Sequence, residues 1–351
     1  MKKDLVARVQ GILNEAGFLV SSLCEARSFD LAARREEVTL LAKILHNIDS
    51  FREEVARSIK RAAFCLLASP IVLGERRGGS VLEDDVVYYR YGIPALNAHT
   101  LYDHFVEGVQ PLVYSATGGL FVNIDGAAMR EAREKKNFSL GDVAAELGVS
   151  RRSVSKYEEG GASTAVEIAL RLEEILRVGL IVPLDFLKSE RPSPLSALGA
   201  EARAEARAEA RAEARAEGGL RAEGGLRAEG GVRAGAGVEE ACSGLEKDIL
   251  GVLEEIGFEI FRTAYAPFSA VSESGGVKIL TGVSKYTARM IKRAKITSSL
   301  SEVTRTKSVF VVNGKVRRVQ IENTVLIEKE ELKKMRDTEE FACLLEERAE
   351  G

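Results

Sequence analysis

The sequence predicts a multidomain protein in which a central all-α domain lies between two α/β units. Three observations support this prediction. Residues 139–160 have the pattern of two short helices joined by a glycine-containing turn. The residues before them combine helical and strand patterns, and related patterns return after residue 240. A chain of 351 residues is long enough for two or three domains.

The first 125 residues have the element pattern of an α/β unit with a mixed sheet. An apolar stripe from about residue 5 predicts a helix that ends at Gly17. Two capping boxes, Ser50 with Glu53 and Thr100 with Asp103, predict the starts of two later helices. Strands are predicted at residues 18–23, 29–33, 38–45, 69–74, 86–91 and 93–96, with a β-hairpin at residues 112–124.

Two of these strands resemble a known family. Residues 29–33 (FDLAA) and 39–43 (TLLAK) resemble the catalytic strands of the restriction-endonuclease superfamily, particularly the archaeal Holliday-junction resolvases. The resemblance implies an Asp on one strand and an acid-x-Lys motif on the next, which hold a divalent metal and polarise the phosphate. Asp30 and Lys43 match, but Leu41 occupies the second acid position. One carboxylate is a poor metal site, so we expect no catalytic residue, no metal and no cofactor.

An interpretation without any functional role for Asp30 and Lys43 stays open. Asp30 is then a capping or surface carboxylate, and Lys43 is a solvated cation at a strand end.

Residues 139–160 (SLGDVAAELGVSRRSVSKYEEG) predict a helix-turn-helix. Ser139 with Asp142 forms a capping box, Gly148 permits a helix end with positive φ, and Ser150 caps a second helix. Val154 and Tyr157 are expected to point inward. The outward side chains suit phosphates and base edges in a major groove. The candidate DNA-binding residues are Ser139, Ser150, Arg151, Arg152, Ser153, Ser155 and Lys156.

Flanking patterns extend this motif to a five-helix domain. A helix is predicted at residues 129–136, a capping box of Thr164 with Glu167 opens a later one, and residues 182–187 complete the last. Together with LGVS at the turn, this arrangement resembles the Cro/C1-type DNA-binding domain of phage repressors and bacterial regulators. Leu140-Gly141 stands where many members carry a DNA-contacting glutamine, so phosphate contact there is expected from backbone amides and Ser139. The alternative is an ordinary helical hairpin with a solvated charged face.

The remainder of the chain contains a repeat and a second α/β unit. Residues 198–237 consist of AEAR and then EGGLRA units, which predict a flexible linker; a partner-binding charged helix is the alternative. Residues 268–282 then align without a gap on residues 29–43, which we interpret as internal duplication. In this second copy Ser269 replaces Asp30 and Gly282 replaces Lys43. The predicted domains are residues 1–125 (nuclease-like, inactive), 126–190 (helix-turn-helix), 191–240 (linker) and 241–351 (second, diverged α/β unit).

Nearly the whole chain outside the linker resembles the archaeal family of Cro/C1-type transcriptional regulators. The motifs that carry the resemblance are FDLAARRE, NIDS, SPIVLGER, YGIPALN and LGVSRRSVSKYEEG. It implies a non-enzymatic, sequence-specific regulator that binds double-stranded DNA, with residues 151–159 as recognition helix. Because such modules commonly bind two half-sites, we expect a homodimer. Two alternatives stay open: a structure-selective nuclease acting on junctions or nicks, and an architectural protein that binds branched DNA without cutting.

Composition limits the remaining possibilities. The formal net charge is -3, so any basic surface must be local. The four cysteines are far apart and show no C-x-x-C spacing, which indicates thiols in a reducing compartment. The three histidines form no metal-ligand pattern with them. The N-terminus has no apolar signal core, and the longest apolar run, residues 62–74, is too short to span a bilayer. We expect a cytoplasmic protein with no membrane partner.

Overall fold

The computed structural model describes residues 2–24, 26–160, 163–187 and 236–350. The predicted linker therefore lies outside the described residues up to position 235. Residues 236–240, which the sequence assigns to the linker, already belong to a helix.

The first part of the chain is an α/β unit built around one large sheet. Its helices are α1 (Lys2–Glu15), α2 (Glu53–Cys65) and α3 (Ala98–Tyr102), and α3 continues into a π-helical turn at Asp103–Glu107. The eleven strands of the sheet are β1 (Leu19–Val20), β2 (Leu31–Arg35), β3 (Val38–Asn47), β4 (Ser69–Arg77), β5 (Ser80–Val81), β6 (Val86–Arg90), β7 (Ile93–Leu96), β8 (Val113–Ala116), β9 (Gly119–Ile124), β10 (Ser163–Ala165) and β11 (Ile181–Val182).

The sheet has the order β1-β2-β3-β4-β7-β6-β8-β9-β10, with β5 paired to β4 and β11 paired to β9. β3, β4 and β7 run parallel, and β2 pairs with β3 antiparallel. Because side chains alternate along a strand, the two faces of β3 enter different cores. Leu40 and Ile44 join the cluster under α1 and α3, whereas Leu41 joins the cluster under α2.

Two predicted helix starts in this unit are wrong: α2 begins later, after a residue with no side-chain cap, and α3 begins earlier, at an asparagine cap. α2 begins after Arg52, while Ser50 lies in a single 3-10 turn that is capped by the side chain of Asn47. α3 begins after Asn97, whose side chain accepts the backbone N–H of Thr100 at 2.8 Å. Asparagine and serine are comparable caps, so the spacing of Ser or Thr and an acid alone does not locate a helix start.

The helix-turn-helix domain contains four helices among the described residues 126–187, not five. They are α4 (Gly126–Lys135), α5 (Leu140–Leu147), α6 (Arg151–Glu159) and α7 (Val166–Leu176). The capping box predicted at Thr164 is wrong, because Thr164 lies in β10 and α7 begins after Ala165. The fifth helix predicted at residues 182–187 is also wrong, because β11 pairs with β9 and the chain then buries Leu184 and Phe186 in the core under α1 and α3.

The hairpin of β8 and β9 joins this domain to the sheet. β8 pairs in parallel with β6, and β10 and β11 both pair with β9. After β11 the chain returns to the first unit, where the Leu184 N–H donates to the Pro111 carbonyl at 2.9 Å and the Ser69 hydroxyl donates to the Leu187 carbonyl at 3.2 Å. The domain is therefore held at its start, through its sheet and at its end.

The C-terminal part is a second α/β unit with a six-stranded sheet. Its helices are α8 (Ala236–Glu255), α9 (Ala288–Thr304), α10 (Lys329–Leu332) and α11 (Thr338–Glu350). Its strands are β12 (Glu259–Arg262), β13 (Ala270–Ser274), β14 (Val277–Ser284), β15 (Lys307–Val312), β16 (Gln320–Ile321) and β17 (Thr324–Glu328), in the order β12-β13-β14-β15-β17-β16.

The second sheet repeats the strand order and directions of the segment β1-β2-β3-β4-β7-β6 of the first. β14, β15 and β17 are parallel, and the outer pairs are antiparallel. The register also agrees, because Ala270 pairs with Thr281 as Leu31 pairs with Ala42. These are the positions that the gap-free alignment within the sequence makes equivalent.

The two α/β units share one buried core. The cluster that contains Phe29 and Leu41 also contains Phe268 and Leu280 from the equivalent positions of the second unit. Two hydrogen bonds cross this contact in a reciprocal way. Arg34 Nε, in the first hairpin, donates to the Val303 carbonyl near the end of α9 at 2.6 Å. Lys278 Nζ, in the second hairpin, donates to the Cys65 carbonyl at the end of α2 at 2.6 Å.

A helix needs about 20 predominantly apolar residues to cross a lipid bilayer. None of the helices in the described part of the chain is long and apolar enough to do so.

Candidate nucleic-acid interface

The turn between α5 and α6 has the geometry that the sequence predicts. The Asp142 N–H donates to Ser139 Oγ at 3.1 Å, and the Ser139 N–H donates to the Asp142 carboxylate at 2.7 Å. Gly148 ends α5 with a φ of 68°, in the left-handed region that glycine tolerates. Ser150 then caps α6 by accepting the Ser153 N–H at 3.0 Å. Each of the two helices thus begins at a capped end.

The inner face of α6 is anchored by an apolar residue and by an ion pair. Val154 is fully buried. Glu158 is also buried, and its carboxylate accepts hydrogen bonds from the Arg133 guanidinium at 2.5 and 3.1 Å and lies 3.4 Å from Arg130 Nε. The hydrogen bond to Glu158 raises the pKa of Arg133. Sequence reasoning missed Glu158; its position four residues after Val154 is the only signal, since the partner Arg133 lies on another helix.

The outer face of α6 carries the predicted contact residues. Arg151, Arg152 and Lys156 are exposed and form no ion pair with any described residue. The serines are partly engaged within the helix, because Ser150 and Ser153 share a hydrogen bond of 2.9 Å and the Ser155 hydroxyl donates to Glu159 at 3.1 Å. The structure therefore gathers six of the seven candidates, from Ser150 to Lys156, on one turn and helix.

Ser139 stands apart from this group at the start of α5. Its N–H and hydroxyl oxygen both bond to Asp142. The Ser139 N–H lowers the pKa of the Asp142 carboxyl, so a negative charge is held at this helix start. The Ser139 N–H is therefore not available for the predicted phosphate contact. The N–H groups of Leu140 and Gly141 remain available, because no described side chain caps them.

The nuclease-like motif forms a closed cluster in the first unit. Asp30 and Lys43 are both buried, and Lys43 Nζ lies 3.3 Å from Asp30 Oδ2. Asp30 also accepts the Ile44 N–H at 2.8 Å, and Lys2 Nζ lies 2.9 Å from its other oxygen. Burial lowers the pKa of Lys43, and the adjacent Asp30 opposes that shift. The surface-carboxylate and solvated-cation interpretations are therefore wrong for this pair, because both groups are buried and face each other.

At the aligned positions the second unit makes the same backbone hydrogen bond but has no charged pair. The Val283 N–H donates to Ser269 Oγ at 3.3 Å, just as the Ile44 N–H donates to Asp30. At Gly282, the position equivalent to Lys43, an added Cβ would lie 2.4 Å from the ring of Phe310. A buried aromatic ring therefore fills the space that a side chain at position 282 would need.

One other group of described residues brings metal-binding side chains together. One ligand atom each from Asp85, His99 and Asp103 lie within 4.8 Å of one another. His99 Nε2 is 3.3 Å from Asp103 Oδ2, and burial together with Asp103 raises the pKa of Asp85. Two of the three residues are exposed, and their own ion pair and hydrogen bonds account for the grouping. Sequence reasoning missed it because Asp85 lies far from the other two residues in the chain.

Comparison with known proteins finds a family match for the first α/β unit and another for the helix-turn-helix domain. Residues 2–111 match the PD-(D/E)XK superfamily domain, and residues 129–181 match the helix-turn-helix family. No solved structure matches the chain. Three relatives bear the name "Putative HTH-type transcriptional regulatory protein". They come from Methanococcoides burtonii (41% identical, covering 99% of this chain and 98% of the relative), Methanosarcina barkeri (40%, 99% and 98%) and Halobacterium salinarum (38%, 99% and 98%).

These matches confirm the resemblance inferred from the sequence and cover the chain almost from end to end. The nuclease-type unit and the helix-turn-helix occupy the positions that the motifs predicted. The chain therefore belongs to the archaeal family of HTH-type transcriptional regulatory proteins, whose DNA-binding element here is the helix-turn-helix at residues 129–181.

Proposed function

We propose that α6 is the recognition helix of this regulator and enters the major groove of double-stranded DNA. The contrast between its two faces carries the proposal. Val154 and Glu158 hold the inner face, while Arg151, Arg152 and Lys156 are exposed without an ion pair among the described residues. Side chains with no intramolecular partner keep their charge available for phosphates and base edges.

The residues of α6 have different proposed roles. Arg151 and Arg152 can each donate two parallel hydrogen bonds, to a guanine edge or to a phosphate. Lys156 acts as a point charge toward a phosphate. Ser150, Ser153 and Ser155 line the same surface with hydroxyl groups. Ser139 can donate its hydroxyl proton to a DNA phosphate beside the start of α5.

We also propose that the nuclease-like unit does not cleave DNA. Leu41, at the position of the second acid, is fully buried in the core that both α/β units share. Asp30 is already bonded to Lys2, Lys43 and the Ile44 N–H, which leaves little lone-pair capacity for a metal. The proposal thus assigns Asp30 and Lys43 a structural role.

The proposed assembly is a homodimer in which each helix-turn-helix domain lies between two nuclease-like units. The repeated strand order and register support the assignment of the C-terminal unit. The dimer is argued from the general behaviour of helix-turn-helix proteins, which contact two half-sites about one helical turn apart. The core shared by the two units within one chain is already filled, so the dimer contact uses another surface.

One selection experiment tests these proposals together. The protein is offered random duplex DNA and a branched four-way substrate, each with and without Mg²⁺. We expect enrichment of a two-half-site duplex sequence, no preference for the branched substrate, and no cleavage. Preference for the branched substrate favours the architectural alternative, and Mg²⁺-dependent cleavage that Asp30→Ala abolishes contradicts the non-catalytic assignment.

The recognition helix is tested on the selected sequence by gel shift. Arg151→Ala or Arg152→Ala is expected to cost about 1–3 kcal/mol in specific binding where the residue contacts a base. A reduction that is uniform over all sequences assigns the residue to phosphates instead. Arg171→Ala, which removes an exposed arginine from α7 in the same domain, is the matched control. Unchanged binding in both α6 variants contradicts the assignment.

A further inference from the structure

The middle of the C-terminal unit is strongly basic. Residues 274–321 contain eleven lysines and arginines and one acidic residue, Glu302, although the whole chain has a formal net charge of -3. Neither matched family region reaches this part of the chain, since the two matches end at residues 111 and 181.

The fold brings several of these cations to one edge of the second sheet. β14 and β15 are parallel, so their carboxyl ends, at Ser284 and Val312, lie at the same edge. The Asn313 N–H donates to the Ser284 carbonyl at 3.0 Å and ties the two strand ends together. The start of α9 follows the first strand, and the loop at residues 313–319 follows the second.

Packing holds both segments in place. Tyr286, Ile291 and Val316 are half-buried against the same apolar cluster, which includes Phe310 and Leu326. Two hydrogen bonds fix the loop: the Val316 N–H donates to Glu328 Oε1 at 2.8 Å, and the Leu326 N–H donates to the Val319 carbonyl at 2.8 Å. The charges are therefore carried by an ordered surface.

Five of the cations at this edge are exposed and form no ion pair with any described residue. Other cations of residues 274–321 are engaged: Lys295 lies 3.5 Å from Glu322, and Arg293 Nε donates to the Pro267 carbonyl at 3.0 Å. We call the five together the basic edge; they are Lys285, Arg289, Lys315, Arg317 and Arg318.

We propose that the basic edge binds the phosphate backbone of double-stranded DNA, as a second contact that is independent of base sequence. The inference rests on the proposed function, because the duplex held by α6 supplies the ligand. Duplex DNA carries a dense line of negative charge, and unpaired Lys and Arg side chains bind it with release of counterions.

The composition of the edge favours phosphates over bases. Contacts to single-stranded bases need exposed aromatic rings for stacking. The aromatic residues at 284–319 are Tyr286, which is half-buried, and Phe310, which is fully buried. Position 282 is a glycine packed against Phe310, so the edge binds DNA without the lysine of the nuclease motif.

The test is the salt dependence of DNA affinity for the full-length protein. Fluorescence anisotropy gives Kd over a KCl series, for a duplex with the selected sequence and for an unrelated duplex. For Arg317→Ser/Arg318→Ser, the slope of log Kd against log salt should fall by about 2, because each phosphate that the protein no longer neutralises lowers it by about 0.9. The ratio of specific to unrelated affinity should stay unchanged.

A matched variant controls for the change in total charge. Lys3→Ser/Arg8→Ser removes two exposed cations from α1 and should leave the slope at the wild-type value. Melting temperatures of both variants establish that each is folded. A wild-type slope in the Arg317/Arg318 variant overturns the inference, and so does an equal fall in the α1 control.

The outcomes separate this inference from the proposed function. If Arg151→Ala removes sequence preference while the basic-edge variant keeps the wild-type slope, only the second contact is wrong. If the basic-edge variant lowers the slope but the wild-type protein shows no sequence preference, the recognition helix is wrong and the second contact stands.

Discussion

Lys43 is a charged group held inside the first α/β unit, and its surroundings set its contribution to stability. Its Nζ lies 3.3 Å from Asp30 Oδ2 and 3.4 Å from the Ala26 carbonyl. Lys2 bonds to the other oxygen of the same carboxylate. The buried Lys43–Asp30 pair thus shares its carboxylate with the exposed Lys2, and the two lysines can be removed one at a time.

Lys43→Met should lower the free energy of unfolding at neutral pH by about 3 kcal/mol, at the low end for breaking a buried ion pair. The effect is limited because Asp30 keeps Lys2 and the Ile44 N–H. Urea denaturation measures the change, and the exposed Lys3→Met on α1 is the control, with a change of at most about 0.5 kcal/mol.

The same variant has a predicted pH dependence. Burial lowers the pKa of folded Lys43 below the 10.5 of an unperturbed lysine. Between the lowered value and 10.5 the unfolded chain binds the proton and the folded chain does not, so stability gains with rising pH. The stability difference between wild type and Lys43→Met should therefore widen as the pH rises toward 10.5. A difference that narrows contradicts the direction of the shift.

Single residues were partly predictable from the sequence. Asp30 and Lys43 were singled out by the resemblance of their strands to the nuclease motif, and the exposed cations of α6 followed from helical periodicity. Lys2 beside Asp30 and Arg133 beside Glu158 did not, because each pair joins distant parts of the chain. Partners that meet only through tertiary packing produce no periodic pattern in the sequence from which they could be predicted.

At the level of elements, the start of α4 packs tightly against the end of α6. A Cβ at Gly126 would lie 2.5 Å from the Tyr157 carbonyl oxygen and 2.7 Å from that of Glu158. Both obstacles are backbone atoms, so the two helices would have to separate.

Gly126→Ala should therefore destabilise the protein by about 2 kcal/mol, as overpacking does, and weaken DNA binding because α6 shifts. Gly141→Ala in α5 is the matched control. Its Cβ meets only Ser139 Oγ at 3.4 Å, so the variant should be neutral or more stable by up to about 1 kcal/mol. Urea denaturation and gel shift check both variants; a Gly126→Ala as stable as wild type contradicts the packing argument.

Element types were more predictable than element ends. The capping box at Ser139 and Asp142 is present, whereas those at Ser50, Thr100 and Thr164 are not. Near Thr100 the cap is the upstream Asn97, whereas the helices predicted from Ser50 and Thr164 begin later, after Arg52 and Ala165, which make no side-chain cap. Spacing alone therefore does not fix the capping residue. The apolar residues at 182–187 were assigned to a helix of the helix-turn-helix domain. Their periodicity does not show that they pack instead into the core of the first α/β unit.

For the whole molecule, the shared core predicts that the two α/β units stay together without a covalent link. A protease site introduced within residues 198–237 allows the chain to be cut after folding. The two fragments should co-elute from a sizing column, even at a high NaCl concentration of about 1 M, because the contact is largely apolar and salt screens only the charges. The uncut protein is the control, and separate elution of the fragments contradicts the shared core.

That shared core also limits which substitutions the chain tolerates. Leu41 and Leu280 occupy aligned positions in the two α/β units, and both are buried in the contact between them. Introducing an acid at either position would place a carboxylate in apolar surroundings and weaken the contact between the two units. At position 282 a lysine would in addition require replacement of Phe310. Single substitutions toward the metal-binding motif at positions 41, 280 and 282 are thus expected to give a chain that folds less well.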